Sequence, residues 1–174
     1  MASIYELAAK CSTLQPMELI GHHKTNSIYY FLPHTETLDN LPMENWVCLG
    51  IANREFDKPF FDRFIKHSIY SGLLEFKGQG SFGEKLHDWF DEEVVNLEII
   101  EEYPETDVMT AWYNNEQNDL ANAVWSCFYT QVLSEGTDAG ETTVVCISFD
   151  DLDYRSKLTT IIERLNSGWI PPDE

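Results

Sequence analysis

Apolar and polar positions along the chain predict strands that alternate with helices. The run at 46–52 is apolar at nearly every position, which is typical of a strand covered on both faces of a parallel sheet, and 142–149 is the clearest strand in the chain. Shorter apolar runs predict further strands at 28–32, 73–77 and 108–113. Apolar residues at helical spacing predict helices over 3–14, 60–72, 81–94, 119–133 and 154–165. Beyond residue 94, the pattern fits either a continued helix or an extended chain.

This alternation predicts an α/β fold. Four strands that alternate with four helices favour right-handed crossovers, so we expect a three-layer sandwich. It would contain a mostly parallel sheet of about five strands with helices on both faces. The direction of the strand at 28–32 stays open, because no helix links it to the next strand. We expect a single domain over 1–174, with a helical extension at 1–26, an α/β core at 27–168 and a tail at 169–174.

The stretch from Asp107 to Phe128 reads as a strand, an acidic turn and a helix with a wide apolar face. Similar strand–turn–helix units lie on both sides of it in the sequence. We therefore predict that its strand, 108–113, occupies the middle of the sheet.

Several short motifs resemble those of a small uncharacterised family of bacterial α/β domains. They are Leu32-Pro33 with Asp39-Asn40-Leu41-Pro42 and Trp46, Tyr70-Ser71-Gly72-Leu73-Leu74, and Met109-Thr110-Ala111-Trp112 with Glu116, Trp125 and Phe128. The resemblance covers about residues 28–165 and implies an α/β fold in a bacterial protein, without an activity. Tyr113 stands where the family pattern has a histidine, which argues against catalysis at that position.

The charge balance narrows the classes of partner. Thirty acidic and eleven basic residues give a formal net charge of −19. Such a field repels nucleic acid and anionic membranes, and it favours either high solubility or a basic partner. The sequence contains no apolar run of the roughly 18 residues that would span a bilayer.

The cysteines and the first residues indicate a cytoplasmic setting. Cys11, Cys48, Cys127 and Cys146 are widely spaced, and most fall on predicted apolar faces, so we expect reduced thiols in the core. The first eleven residues lack the basic flank and continuous apolar core of a signal peptide.

Acidic residues that follow the predicted strands are candidate metal ligands. Asp150, Asp151 and Asp153 come directly after the strand at 142–149, and hard cations such as Mg²⁺ prefer carboxylate oxygens. Aspartates before a helix also serve as N-caps, which is the simpler interpretation. If Glu116 joined Asp150 and Asp151 around an ion, the chain could be a small-ligand protein or a metal-dependent enzyme. Otherwise the sequence predicts no cofactor.

The strongest remaining signal is an acidic segment with interleaved aromatic residues. Between Glu84 and Asp119 there are twelve acidic residues and one lysine. An aromatic centre with an acidic rim would suit a basic protein, although a solvated helix face over core aromatics gives the same pattern. The predicted partner-binding residues are Trp89, Asp91, Glu92, Glu93, Glu101, Glu102, Tyr103, Tyr113 and Glu116.

These observations favour a non-enzymatic acidic binding protein. It would be of the bacterial immunity, antitoxin or defence-accessory type and would neutralise or regulate a basic protein such as a toxin or a defence effector. The alternative is the small-ligand or divalent-metal-dependent enzyme at the strand ends. A third hypothesis is an accessory subunit that assembles through its N-terminal helix. The sequence leaves the oligomeric state open.

Overall fold

The computed structural model describes residues 17–34, 36–100, 107–114, 116, 119–130 and 142–172. The strands within them are β1 (Glu18–His23), β2 (Asn26–Phe31), β3 (Trp46–Ile51), β4 (Leu73–Gln79), β5 (Met109–Tyr113) and β6 (Thr143–Ser148). The helices are α1 (Lys58–Tyr70), α2 (Gly83–Ile100), α3 (Asp119–Tyr129) and α4 (Arg155–Asn166). Among these described helices, none combines the length and apolarity needed to cross a membrane.

The strands form one sheet in the order β1-β2-β6-β3-β4-β5. All neighbours are parallel except β1 and β2, which form an antiparallel hairpin. Helices α1 and α2 cover one face over an aromatic core that includes Phe61 and Phe76, and α3 and α4 cover the other. The predicted three-layer α/β sandwich is therefore confirmed.

The sheet has one strand more than its predicted core. Strand β1 lies in the segment assigned to the helical extension at 1–26, so that assignment is wrong for residues 18–23. The apolar pattern did not predict β1, because an edge strand with a polar sequence gives little hydrophobic signal. Strand β1 turns into β2 through Lys24, which has a φ of 54°. Strand β2 is antiparallel to β1 and parallel to β6, which settles its direction. The predicted helix at 3–14 lies outside the described residues.

The prediction that β5 is the central strand is wrong. Strands β3 and β6 occupy the centre, and every residue of β3 is buried. The chain adds β4 and then β5 outward from β3, and α3 then crosses the other face to place β6 between β2 and β3. Strand β5 is left at the edge, where the side chains of Met109 and Trp112 are 49% and 46% exposed.

Helix α2 lies close to the sheet because two glycines meet where it begins. A Cβ atom at Gly78 of β4 would lie 2.3 Å from the carbonyl oxygen of Gly83, the first residue of α2. This close approach brings α2 near enough to β4 and β5 for its side chains to reach both strands.

We expect Gly78→Ala to lower the free energy of unfolding by about 1–3 kcal/mol, because backbone atoms must move to admit the methyl group. Urea unfolding measures the loss. Gly21→Ala is the control, since its Cβ would meet only the flexible side chain of Ile162 at 3.3 Å. Equal stability of the two variants would show that α2 tolerates a larger separation from β4.

Candidate functional site

The crevice at the carboxyl ends of β3 and β6 is the first place to look for a site. The chain leaves these neighbouring strands toward opposite sides of the sheet, and open α/β sheets bind ligands at such switch points. Asp150, which follows β6, is buried there. Its Oδ1 accepts hydrogen bonds from Ser148 Oγ (3.0 Å) and Leu152 N (3.2 Å). Its Oδ2 accepts from Asn53 N (2.6 Å) and the Tyr154 hydroxyl (2.7 Å).

The side chain of Asn53 links this network to the loop after β4. Its Nδ2 donates to the Tyr154 hydroxyl at 3.0 Å, and its Oδ1 accepts from Ser81 N at 3.0 Å. Burial and the neighbouring Asp150 carboxylate raise the pKa of Tyr154 far above its usual value, so at neutral pH the hydroxyl keeps its proton and donates to Asp150. These hydrogen bonds join the ends of β3 and β6, the loop after β4 and the start of α4 across the crevice.

The three aspartates predicted to bind metal do not converge. Asp150 faces the buried network, whereas exposed Asp151 pairs with His34 at 2.6 Å. Asp153 binds the guanidinium of Arg155 at 2.7 Å, and these hydrogen bonds lower its pKa to about 2. Within the described ranges, no group of three or more His, Cys, Asp or Glu side chains is placed to hold a metal ion. Asp150 is a structural hydrogen-bond acceptor in this arrangement.

Glu116 lies apart from these aspartates, on a groove between α3 and α4. The groove has a volume of about 450 Å³, and none of its lining residues belongs to the network around Asp150. Leu120 and Ile161 give it an apolar floor, and Arg164 stacks over Trp169 with its Cζ 3.6 Å from the ring centroid. The structure therefore does not join Glu116 with Asp150 and Asp151 in one cleft.

The aromatic residues predicted to form the centre of the partner surface lie apart in the structure. Trp89 turns toward α1, where its ring lies 5.9 Å from that of Phe56 and 4.0 Å from Lys58 Nζ. Tyr113 packs on the opposite face of the sheet, under α3. The expectation that these two rings share one surface is wrong, because Trp89 occupies the α1 side of its helix and Tyr113 the α3 side of its strand.

The acidic members of the predicted surface fall into two groups. Asp91, Glu92 and Glu93 lie on α2, where Asp91 and Glu92 are exposed, and Glu116 lies at the groove described above. Glu101, Glu102 and Tyr103 lie outside the described residues. The acidic residues of α2 are thus the members of the predicted surface that the structure places beside the sheet.

One row of α2 side chains flanks the outer strand β5. His87, Asp91, Val95 and Ile99 are spaced four residues apart and so follow one side of the helix. Asp91 Oδ1 accepts a hydrogen bond from Thr110 Oγ1 at 2.8 Å, and the His87 ring lies 4.7 Å from the Trp112 ring. These contacts place the row beside the face of β5 that carries Thr110 and Trp112.

Large apolar side chains are exposed around this row. Val95 is 50% exposed, Ile99 75% and Ile100 74%, and Met109 and Trp112 of β5 are about half exposed. Asp88 and Glu92 of α2 are also exposed, as is Asp107, which lies two residues before β5. We name this region the α2–β5 edge, defined by Asp91, Val95, Ile99, Ile100, Thr110 and Trp112, together with Met109 on the opposite face of β5. Exposed apolar groups with a charged rim are typical of a protein-binding surface.

Sequence reasoning missed the apolar part of this edge, although a signal was present. The apolar residues Val94, Val95, Leu97, Ile99 and Ile100 are too closely spaced for one helix face. If α2 continues to Ile100, some of them must point to solvent, and the structure shows that Val95, Ile99 and Ile100 do.

Comparison with known proteins gives a family without a function. A family model described as a domain of unknown function (DUF7684) matches residues 27–164. No curated protein and no solved structure shows significant similarity to the chain.

Proposed function

The chain belongs to the DUF7684 family of unknown function, and we propose that it is a binding protein that captures a basic protein partner on the α2–β5 edge. The observation that carries this proposal is the exposure of Val95, Ile99 and Ile100 near the end of α2 and of Trp112 on β5, with exposed acidic side chains on the same helix. The rest of the proposal follows from apolar contact and charge.

The apolar centre would supply the binding energy. Residues that dominate protein interfaces are commonly aromatic, lie near the centre and are surrounded by a ring that excludes water. Trp112 is the aromatic candidate for this role, because it lies on β5 against His87, at one end of the helix row whose other end carries Val95 and Ile99. Its indole is held on one side by the protein and is half exposed on the other.

The negative charge of the chain would determine which class of partner binds. The net charge of −19 attracts basic proteins over distances set by the ionic strength and accelerates their encounter. Asp91 at the edge would then pair with a cationic side chain of the partner while still accepting from Thr110. Nucleic acid and anionic membranes are disfavoured by the same field.

We propose that this binding serves an immunity or antitoxin role. The partner would be a basic toxin or defence effector that the chain neutralises or regulates by covering its basic surface. A cytoplasmic setting fits Cys48 and Cys146, which are free thiols buried in the core and therefore suited to a reducing compartment.

Affinity capture from a lysate of the source organism, at low and at high salt, tests this function. We expect the wild-type chain to retain a basic protein at low salt and to release it as salt rises. The double variant Val95→Asp/Trp112→Ala should weaken binding of that purified protein by about tenfold or more, because it removes the apolar centre. Calorimetry on the purified pair gives the dissociation constants.

Ile170→Asp is the matched control, since Ile170 is another apolar side chain, 69% exposed, in the segment after α4. It should bind like the wild type. Equal loss in the control and in the edge variant, or a retained partner that is not basic, would contradict the proposed function.

A further inference from the structure

The two edges of the sheet differ in how they are protected from pairing with another strand. Exposed edge strands are usually blunted by charges, prolines or β-bulges. Strand β1 follows this rule, with Glu18 at its start and a bulge between Leu19 and Gly21. Strand β5 does not, because its sequence Met-Thr-Ala-Trp-Tyr has no charge and no proline, and its pairing with β4 is regular over all five residues.

The main chain of β5 offers hydrogen-bonding groups on its outer side. The carbonyl oxygen of Tyr113 accepts from Gly80 N at 3.0 Å, so the main-chain groups of Tyr113 face the β4 side. These groups alternate along a strand, and those of Thr110 and Trp112 therefore point away from β4. Among the described residues, β4 is the one strand that pairs with β5.

We propose that the basic partner docks by adding an extended strand to the outer edge of β5. This inference rests on the proposed function and specifies the kind of segment that the partner presents. Main-chain bonds to Thr110 and Trp112 would give affinity, and side chains on the two faces of the added strand would give specificity.

The two faces of β5 define what the added strand must carry. On the α2 face, Trp112 and Asp91 offer an aromatic ring and a carboxylate, which suit lysine or arginine. On the opposite face, Met109 is half exposed and suits an apolar side chain. The preferred segment therefore alternates basic and apolar residues over about five positions.

Charge selects a basic partner over a second copy of this chain. An edge-to-edge dimer through β5 would bring together two copies that each carry a net charge of −19, and would place two Asp91 side chains near the same seam. Like charges at an interface oppose association. A basic strand meets the opposite field.

The probe for this inference is a synthetic heptapeptide of alternating lysine and valine, with the same residues grouped as a block for comparison. Calorimetry should show that the alternating peptide binds the full chain and that the block peptide binds at least about tenfold more weakly. Equal affinity of the two peptides would overturn strand addition, because charge alone would then explain binding.

Two variants at one position test the main-chain contact. Thr110→Pro removes the outward N–H, and prolines are tolerated at such edge positions. Thr110→Val keeps the N–H, and both variants lose the bond to Asp91. We expect Thr110→Pro to bind the alternating peptide at least about tenfold more weakly than Thr110→Val, and equal affinities of the two folded variants would overturn the inference. Circular dichroism checks that both fold.

Hydrogen exchange on the wild-type chain gives a second test that does not depend on the proline variant folding. The peptide should slow exchange of the Thr110 and Trp112 amides, and unchanged exchange there would overturn the inference. Light scattering tests whether a second copy of the chain occupies β5 instead. A wild-type dimer that Thr110→Pro converts to a monomer would assign β5 to a second copy.

The edge variant and the Thr110 variants together distinguish a failure of strand addition from a failure of the proposed function. If Val95→Asp/Trp112→Ala abolishes binding of the captured partner while the two Thr110 variants bind it equally, the edge binds the partner without strand addition. If neither the edge variant nor the Thr110 variants change its binding, the proposed function at this edge fails as well.

Discussion

Lys77→Met is expected to lower the free energy of unfolding by about 3–5 kcal/mol at neutral pH, because it leaves a buried carboxylate without its cation. Lys77 and Glu75 point from β4 toward the side of α3, and their side chains are 2% and 8% exposed. Lys77 Nζ lies 3.0 Å from Glu75 Oε2, and Nζ also donates to Thr130 Oγ1 at 3.4 Å. Among the described residues, none donates a hydrogen bond of good geometry to Glu75 Oε2, so this oxygen depends on the charge of Lys77.

The loss in Lys77→Met should depend on pH. Burial raises the pKa of Glu75 and Lys77 lowers it, so removal of Lys77 raises it further. A carboxyl group whose pKa is higher in the folded state than in the unfolded state costs stability as the pH rises above its unfolded pKa. Urea unfolding should therefore show a larger deficit at pH 7 than at pH 5.

The double variant Glu75→Gln/Lys77→Met is the control for this pair. It removes both charges, so it should recover much of the stability that Lys77→Met loses. A double variant as unstable as the sum of the single variants would show that the two side chains act independently.

Asp150→Ala should lower the free energy of unfolding by about 3–4 kcal/mol, because it leaves buried donors without an acceptor. The four donors to its carboxylate come from the strand end of β3, from β6 and from the segment before α4. The loss should appear in urea unfolding monitored by circular dichroism.

Asp151→Asn is the neighbouring control, because asparagine tolerates the left-handed backbone of Asp151, which has a φ of 62°. Asp151 is exposed, and its pairing with His34 lies at the surface, so the change should cost less than about 1 kcal/mol. An Asp150→Ala protein as stable as this control would contradict a structural role and would reopen the crevice as a ligand site.

The fold could be predicted where hydrophobic pattern alone decides it. Strand β3 is apolar at nearly every position because both of its faces are covered, and that pattern identified it as a sheet strand, while β6 was recognised by its apolar run 144–147. Helices α1 and α4 were recognisable by their apolar stripes. Strand β1 was missed because an edge strand with one polar face needs little hydrophobic signal.

Strand order could not be predicted from the chain, and this explains the errors at the candidate site. Strand β5 lies between two strand–helix units in the sequence, yet it is the last strand in the sheet because α3 crosses back to β6. Once β5 is at the edge, Trp112 becomes a surface residue. The acidic residues of α2 can be read from the sequence, and their role in binding stays a prediction. The exposure of Trp112 could not be predicted, because it depends on where β5 lies.

Hydrogen exchange of the full chain, with and without the basic protein that it captures, tests the central claim most directly. Binding at the α2–β5 edge predicts slower exchange in β5 (Met109–Tyr113) and in the last two turns of α2, with α4 unchanged. Protection confined to the groove between α3 and α4, with β5 exchanging at its free rate, would contradict it.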